Sequence, residues 1–450
     1  MSNNEDLLDI EAAGAAEALA NVQTLWFSQP LDHDNDSIGT FQQRYYVNPE
    51  FYKEGSPAFL YLGGEGELRN STAARGIIYD MAREHNAIIY SLEHRYYGLS
   101  QPFDILTADN LQYLSSLNGV KDAGYFMRNV INPLTNKTLE NVRWITVGGS
   151  YPGSLSAWIR EEYPDLVFAA LASSAPVFAK ENFYEYDQVV AAALGKDCFA
   201  NIEEVKNYID VQFSITGNRK KLKEDLGCMD ITNDIAFVST IFDILASVVQ
   251  YNSPTAKPNI SGLCGGFANT TAIEDKYNYF ISQLKVYLQS ENKSCYKFAD
   301  FDSLYNLDAK SGSVRQWTYQ CCTEYGYWQT APPDHSTRSK LLTADWFNDF
   351  YCSSDIFGKK IGPPNTRFIN SRFRALENRV KRTIWVNGET DPWVALSVHN
   401  ISESTPDRPI YIVKQGSHAQ DLGSTRATDS ESLTETRKSI RADISRWLSE

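Results

Sequence analysis

The run RWITVGGSYPGSLSAWIREEYP, residues 143–164, constrains the fold of this chain more than any other stretch. Trp144, Ile145, Thr146 and Val147 have the aromatic and β-branched character of a buried strand, which stops at Gly148-Gly149-Ser150. A helical pattern starts immediately, with Pro152 in the first turn, where its missing N–H would be unpaired anyway. A strand that reverses straight into a helix strains the backbone at the bend and needs small neighbours there. Gly148, Ser150 and Gly153 read G-x-S-x-x-G, one residue longer than the G-x-S-x-G turn that lifts a nucleophilic serine above a sheet, and Pro152 stands where that motif has glycine. Ser150 is therefore a candidate nucleophile; the alternative is a tight strand-to-helix turn without chemistry.

The surrounding pattern supplies the sheet that such a turn requires. QRYYVNP (43–49), PAFLYLGG (57–64), AIIYSLEHR (87–95) and LVFAALASSAPV (166–177) read as further strands, with helical runs such as TAARGIIYDMAREHN and GVKDAGYFMRNVI between them. Strands alternating with helices predict an α/β protein with a mostly parallel sheet and helices on both faces. From about 180 to 380 helical patterns take over and every cysteine lies there, before RTIWVNG (382–388), RPIYIVKQG (408–416) and an amphipathic C-terminal helix restore the first character. The expected division is a weakly ordered segment at 1–22, a core in two parts at 23–179 and 381–450, and a helical cap at 180–380 inserted after the sixth core strand.

Composition narrows the function classes. A net charge of -14 over 450 residues argues against nucleic acid or anionic lipid as a partner and suits work in an acidic compartment. No apolar run approaches the ~18 residues of a membrane span. The seven cysteines contain no C-x-x-C pair, so neither zinc nor any other metal or cofactor is expected. Confined to one segment, they fit disulfides formed in an oxidising compartment, with buried thiols of a cytosolic protein as the alternative. Sequons at Asn35, Asn70, Asn136, Asn259, Asn269, Asn292 and Asn400 make these candidate glycosylation sites and point the same way, to a secreted or lysosomal/vacuolar protein. MSNNEDLLDI has no basic or apolar leader character, so a secreted protein would have its signal peptide absent from this sequence. Monomer and homodimer both stay open.

A serine nucleophile needs a base and an acid that orients it. In this class of site they follow in the order serine, acid, histidine, on loops after late strands. Asp391 in WVNGETDPW lies just past the strand at 383–387, and His418 in QGSHAQDL lies just past the next. Glu389 is the second candidate acid. His335 falls in the cap, His33 and His94 in N-terminal loops, and His85 and His399 at surface positions, all better suited to structural roles. An oxyanion hole would take the backbone N–H of Tyr151 together with that of Gly64 or Glu65 in YLGGEGE.

Together WFSQPLDH, QRYYVN, YLGGEGE, EHRYYGLSQP, LQYLSS, GGSYPGSLSAW, QWTYQCCTEYGYWQT, NGETDPW and GSHAQDL, spread over residues 25–422, resemble the S28 family of serine peptidases. CCTEYGYWQT is most similar to the branch of the thymus-specific serine proteases. The resemblance implies an α/β-hydrolase core with a disulfide-containing helical cap. It implies exopeptidase cleavage after proline in peptide substrates, of carboxypeptidase or dipeptidyl-peptidase type, through a Ser150–Asp391–His418 triad and an acyl-enzyme. It places Trp393, with Tyr151 nearby, at the wall of a proline-sized pocket, and pairs Cys198–Cys264, Cys228–Cys295 and Cys322–Cys352, with Cys321 left free. The chain departs from the family pattern at Pro152, where a small residue is usual, and at Ala419, where several members carry a second histidine. A lipase or esterase on the same core, or a non-catalytic binding protein of the same fold, are the competing functions.

Overall fold

The computed structural model describes residues 18–450. Most of the N-terminal segment expected at 1–22 therefore lies outside the described residues. The centre is an eight-stranded sheet: β1 (Gln23–Pro30), β2 (Thr40–Asn48), β3 (Ala58–Leu62), β4 (Ile88–Leu92), β5 (Trp144–Gly149), β6 (Val167–Ser173), β7 (Thr383–Gly388) and β8 (Ile410–Val413). Its spatial order is β1-β2-β4-β3-β5-β6-β7-β8. The β1–β2 and β2–β4 pairings are antiparallel, and from β4 onward every pairing is parallel. A parallel sheet is covered on both faces and so reads as continuous apolar runs, as β4, with all five residues buried, and β5, with all six, do here.

Two apolar layers flank the sheet. On one face Ile77, Met81 and Ala82 of α1 (Gly76–Glu84) and Ile440, Ile444 and Trp447 of the C-terminal helix pack on Phe59, Ile89, Ile145, Leu171 and Ile384. On the other, Val120, Phe126 and Met127 of α2 (Ser116–Asn129) and Leu155, Trp158 and Ile159 of α3 (Tyr151–Glu162) share one cluster with the helical region. That cluster continues without a break into Val205 and Ile209 of α4 (Lys196–Ser214) and Phe237, Ile241 and Leu245 of α5 (Asp234–Gln250). A short parallel ribbon, Lys180–Asn182 beside Gly326–Trp328, stitches the chain after β6 to the far end of the helical region.

The helical region between β6 and β7 contains three disulfides, Cys198–Cys264, Cys228–Cys295 and Cys322–Cys352, and the thiol of Cys321 is buried and free. They close loops of 66, 67 and 30 residues, each worth about 4 kcal/mol in lost unfolded-chain entropy. Among the described residues no helix is long and apolar enough to cross a membrane.

Candidate active site

Ser150 sits at the carboxyl end of β5, in the centre of the sheet, with φ 64° and ψ -134°. A non-glycine residue there stores roughly 1–3 kcal/mol of backbone strain, tolerated only where the surroundings enforce it. The enforcement is visible: the Ser150 N–H donates to Ser173 O at 2.9 Å. A Cβ on Gly148 would lie 2.1 Å from Pro152 O, so no side chain fits there. Pro152 occupies the first turn of α3, and its ring carbons reach to 2.5 Å of where a Cβ on Gly64 would stand. The proline that breaks the motif is thus accommodated by a missing side chain 88 residues earlier in the chain.

Asp391 follows β7 and caps the short turn Pro392–Leu396, its Oδ1 accepting the Trp393 N–H at 3.0 Å. Both of its carboxylate oxygens lie 2.9 Å from Nδ1 of His418, on the loop after β8. Neither side chain has any exposure. The carboxylate accepts from Nδ1, which leaves Nε2 as the ring nitrogen turned away from the acid. That Nε2 is buried and has no hydrogen-bond partner. The His418 loop is pinned on two sides. The His418 N–H donates to Gln250 O of α5 at 3.0 Å, and the Ala419 N–H donates to Ser174 Oγ at 2.9 Å. Ala419 packs against the strand end before the serine, where a Cβ on Gly149 would come within 3.1 Å of the alanine Cβ.

The other candidates separate cleanly. Glu389 turns away and accepts the Gln415 N–H at 2.8 Å. His33 pairs with Asp122, His335 with Glu203 and His85 with Ser445, while His399 contacts Ser397 O. The Tyr151 N–H, first in α3, has no intrahelical acceptor, and the helix dipole favours negative charge beside it. Gly64 and Glu65 follow β3 next to Pro152, and neither N–H donates to a backbone carbonyl. Burial pushes the Glu65 carboxyl above its usual range, against the pull of its own N–H and of His418.

Trp393 is 7% exposed and joins a belt of rings, with centroids 5.4 Å from Phe183, 5.7 Å from Tyr186, 5.3 Å from Tyr327 and 6.4 Å from His418. The belt continues through Tyr325, stacked 4.8 Å from Tyr327, to Tyr151 at 5.8 Å. A cleft of about 850 Å³ opens beside Gly149 and Ala419, between the core and the helical region. Gln250 was invisible to sequence reasoning: one side-chain oxygen accepts both Trp393 Nε1–H at 2.9 Å and Tyr186 O–H at 2.7 Å, while its carbonyl takes the His418 N–H. A glutamine closing an amphipathic helix gives no signal of this. Among the described residues no cluster of His, Cys, Asp or Glu could hold a metal ion.

The strand order, with a strained serine after β5, a carboxylate after β7 and a histidine after β8, defines an α/β hydrolase. Residues 29–440 match the family model described as serine carboxypeptidase S28. The chain belongs to that family and is a serine-type peptidase. The thymus-specific serine protease of Mus musculus is 31% identical over 94% of this chain and 87% of its own. That of Homo sapiens is 31% identical over 98% and 89%. The serine protease vicPb of Bipolaris victoriae is 26% identical over 94% and 88%.

Proposed function

We propose that the protein is an exopeptidase that hydrolyses peptide bonds on the carboxyl side of proline. The observation that supports the mechanism is the buried Asp391–His418 pair, whose Nε2 makes no hydrogen bond, at the same sheet edge as the strained Ser150, with Ala419 packed against Gly149. Ser150 Oγ attacks the scissile carbonyl while His418 Nε2 takes its proton, and the imidazolium is stabilised by Asp391 without proton transfer to the carboxylate. The tetrahedral oxyanion is held by the N–H of Tyr151 and that of Gly64 or Glu65. His418 returns the proton to the leaving amine, and water then releases the acyl group from Ser150 by the same steps in reverse.

A proline ring is flat-sided, apolar and rigid, so an aromatic wall selects it with little loss of conformational entropy. Trp393 supplies that wall, with the Tyr151 ring further along the belt. The Tyr151 hydroxyl is committed elsewhere and its ring is buried among Trp317 and Tyr325, so only its backbone faces a peptide. Residues 23–179 and 381–450 act as the core and 180–380 as the cap that restricts entry to peptides. Three disulfides support residence in an oxidising compartment, secreted or lysosomal.

The test compares wild type with Ser150→Ala on an Xaa-Pro fluorogenic amide, a peptide with a C-terminal Pro-Xaa bond, alanine analogues of both, and a simple acyl ester. Proline peptides should be cleaved, and Ser150→Ala should lose on the order of a million-fold in turnover. Hydrolysis of the ester without either proline peptide would overturn the substrate assignment, and a folded Ser150→Ala of near-normal activity would overturn the mechanism.

A further inference from the structure

The side chain of Tyr151 is 2% exposed and packs in the seam between core and cap, against His94, Trp317 and Tyr325. Its surroundings determine the position of each proton. His94 Nδ1 lies 2.8 Å from Arg95 O, and a carbonyl can only accept, so Nδ1 carries the hydrogen. Burial pushes the His94 pKa down to about 4, so the ring is neutral and Nε2 is a bare acceptor. The Tyr151 hydroxyl, 2.9 Å from that Nε2, must donate to it. Its lone pairs then accept the Gln320 Nε2–H at 3.1 Å.

Gln320 ends the cap helix α6 (Val314–Gln320), and its Oε1 accepts the Tyr97 hydroxyl at 2.6 Å. The same Nε2 donates to Glu324 Oε2 at 3.1 Å. Glu324 in turn accepts the Ser116 N–H at 2.9 and 3.1 Å and the Ser116 Oγ–H at 3.1 Å. Ser116 begins α2 in the core. The chain of bonds thus runs from core to Tyr151 to cap and back to core, with His94, Ser116, Gln320 and Glu324 all buried. Fully satisfied buried polar networks are rigid and admit one arrangement.

We propose that this network positions the oxyanion donor: Gln320 of the cap and His94 of the core hold the Tyr151 phenol, the phenol holds the first turn of α3, and the Tyr151 N–H is aimed at the oxyanion only when cap and core are joined. Tyr151 through its hydroxyl, His94 and Gln320 are positioning residues. The cap then completes the catalytic geometry as well as covering the cleft. The assignment rests on the oxyanion role given to the Tyr151 N–H above.

Removing an oxyanion donor outright costs about 10²–10³ in kcat, so a misaimed one should cost roughly ten- to a hundredfold. Tyr151→Phe deletes only the hydroxyl, and Gln320→Met removes the donor at nearly unchanged volume and charge. Each should lower kcat on the best proline substrate by that factor with KM within about threefold. A peptide boronate, whose tetrahedral adduct places an oxygen in the hole, should lose affinity by the same factor as kcat. The double variant should cost no more than the worse single one, because both break one chain. His94→Gln, which offers a carbonyl acceptor, should retain more activity than His94→Leu, which guards against loss through misfolding alone. Wild-type kcat within twofold in both folded single variants, or a loss confined to KM with boronate affinity unchanged, would overturn the inference. A wild-type enzyme that neither cleaves proline peptides nor binds the boronate would instead overturn the functional reading beneath it.

Discussion

Glu324 gives a stability prediction whose sign and size follow from its surroundings. Burial pushes its carboxyl from the ordinary 4.5 up to about 7, although Gln320 and Ser116 donate to it and pull the other way. The folded chain therefore holds this proton over a pH range in which the unfolded chain has released it. With the folded pKa raised, the contribution is fully present below pH 4.5 and is lost as pH rises through 7. At 1.36 kcal/mol per unit, the full penalty is about 3 kcal/mol, and about 2.5 kcal/mol of it falls between pH 5 and pH 8. Unfolding entropy near 2 cal/mol/K per residue gives about 0.9 kcal/mol/K for a chain of this size, so the penalty corresponds to roughly 3 °C in Tm. Glu324→Gln removes the titration and keeps one oxygen for the Ser116 and Gln320 donors. Thermal unfolding of wild type and variant at both pH values isolates the group by double difference. Wild type should lose about 3 °C relative to the variant on going from pH 5 to pH 8. A Tm difference between the two proteins that stays constant within a degree across that range would refute the reasoning.

Trp393→Ala should reduce kcat/KM for proline substrates about ten- to a hundredfold more than for alanine analogues, as expected for an apolar ring leaving a pocket; equal losses on both would show that the indole only supports the Asp391 turn. Gly64→Ala should depress activity, because its methyl would meet the Pro152 ring, and Pro152→Ala in the same chain should restore much of the loss; no rescue would place the damage elsewhere. Peptide mapping without reduction should recover Cys198–Cys264, Cys228–Cys295 and Cys322–Cys352, and a Cys321–Cys352 peptide would contradict the pairing. Expressed through a secretory pathway, the chain should carry glycans at exposed sequons such as Asn70 and Asn136 before Asn259, which is half-buried and whose side chain caps a helix through the Gly262 N–H; mass spectrometry after glycosidase treatment checks the order.

Local sterics made much of this molecule legible in its sequence. The bend at Ser150 follows from a β-branched run, small residues and a helix-starting proline within a dozen positions, because backbone clashes act over that range. The alternation of strands and helices predicts the parallel sheet because a helical crossover returns the chain in the same direction, and Ser150, Asp391 and His418 each follow a parallel strand and so lie at its same edge. Tertiary structure alone decided the partnerships. Pro152 is compatible with the bend only because Gly64 has no side chain, and Gln250 became the common support of Trp393, Tyr186 and His418 only when α5 docked on the core. Likewise Tyr151 meets His94 from 57 residues away, and Gln320 from 169. A buried polar atom must find a partner wherever the packed chain offers one. That choice depends on the register of cap against core, which is set by the sum of apolar contacts along the whole seam and by no short pattern in the sequence.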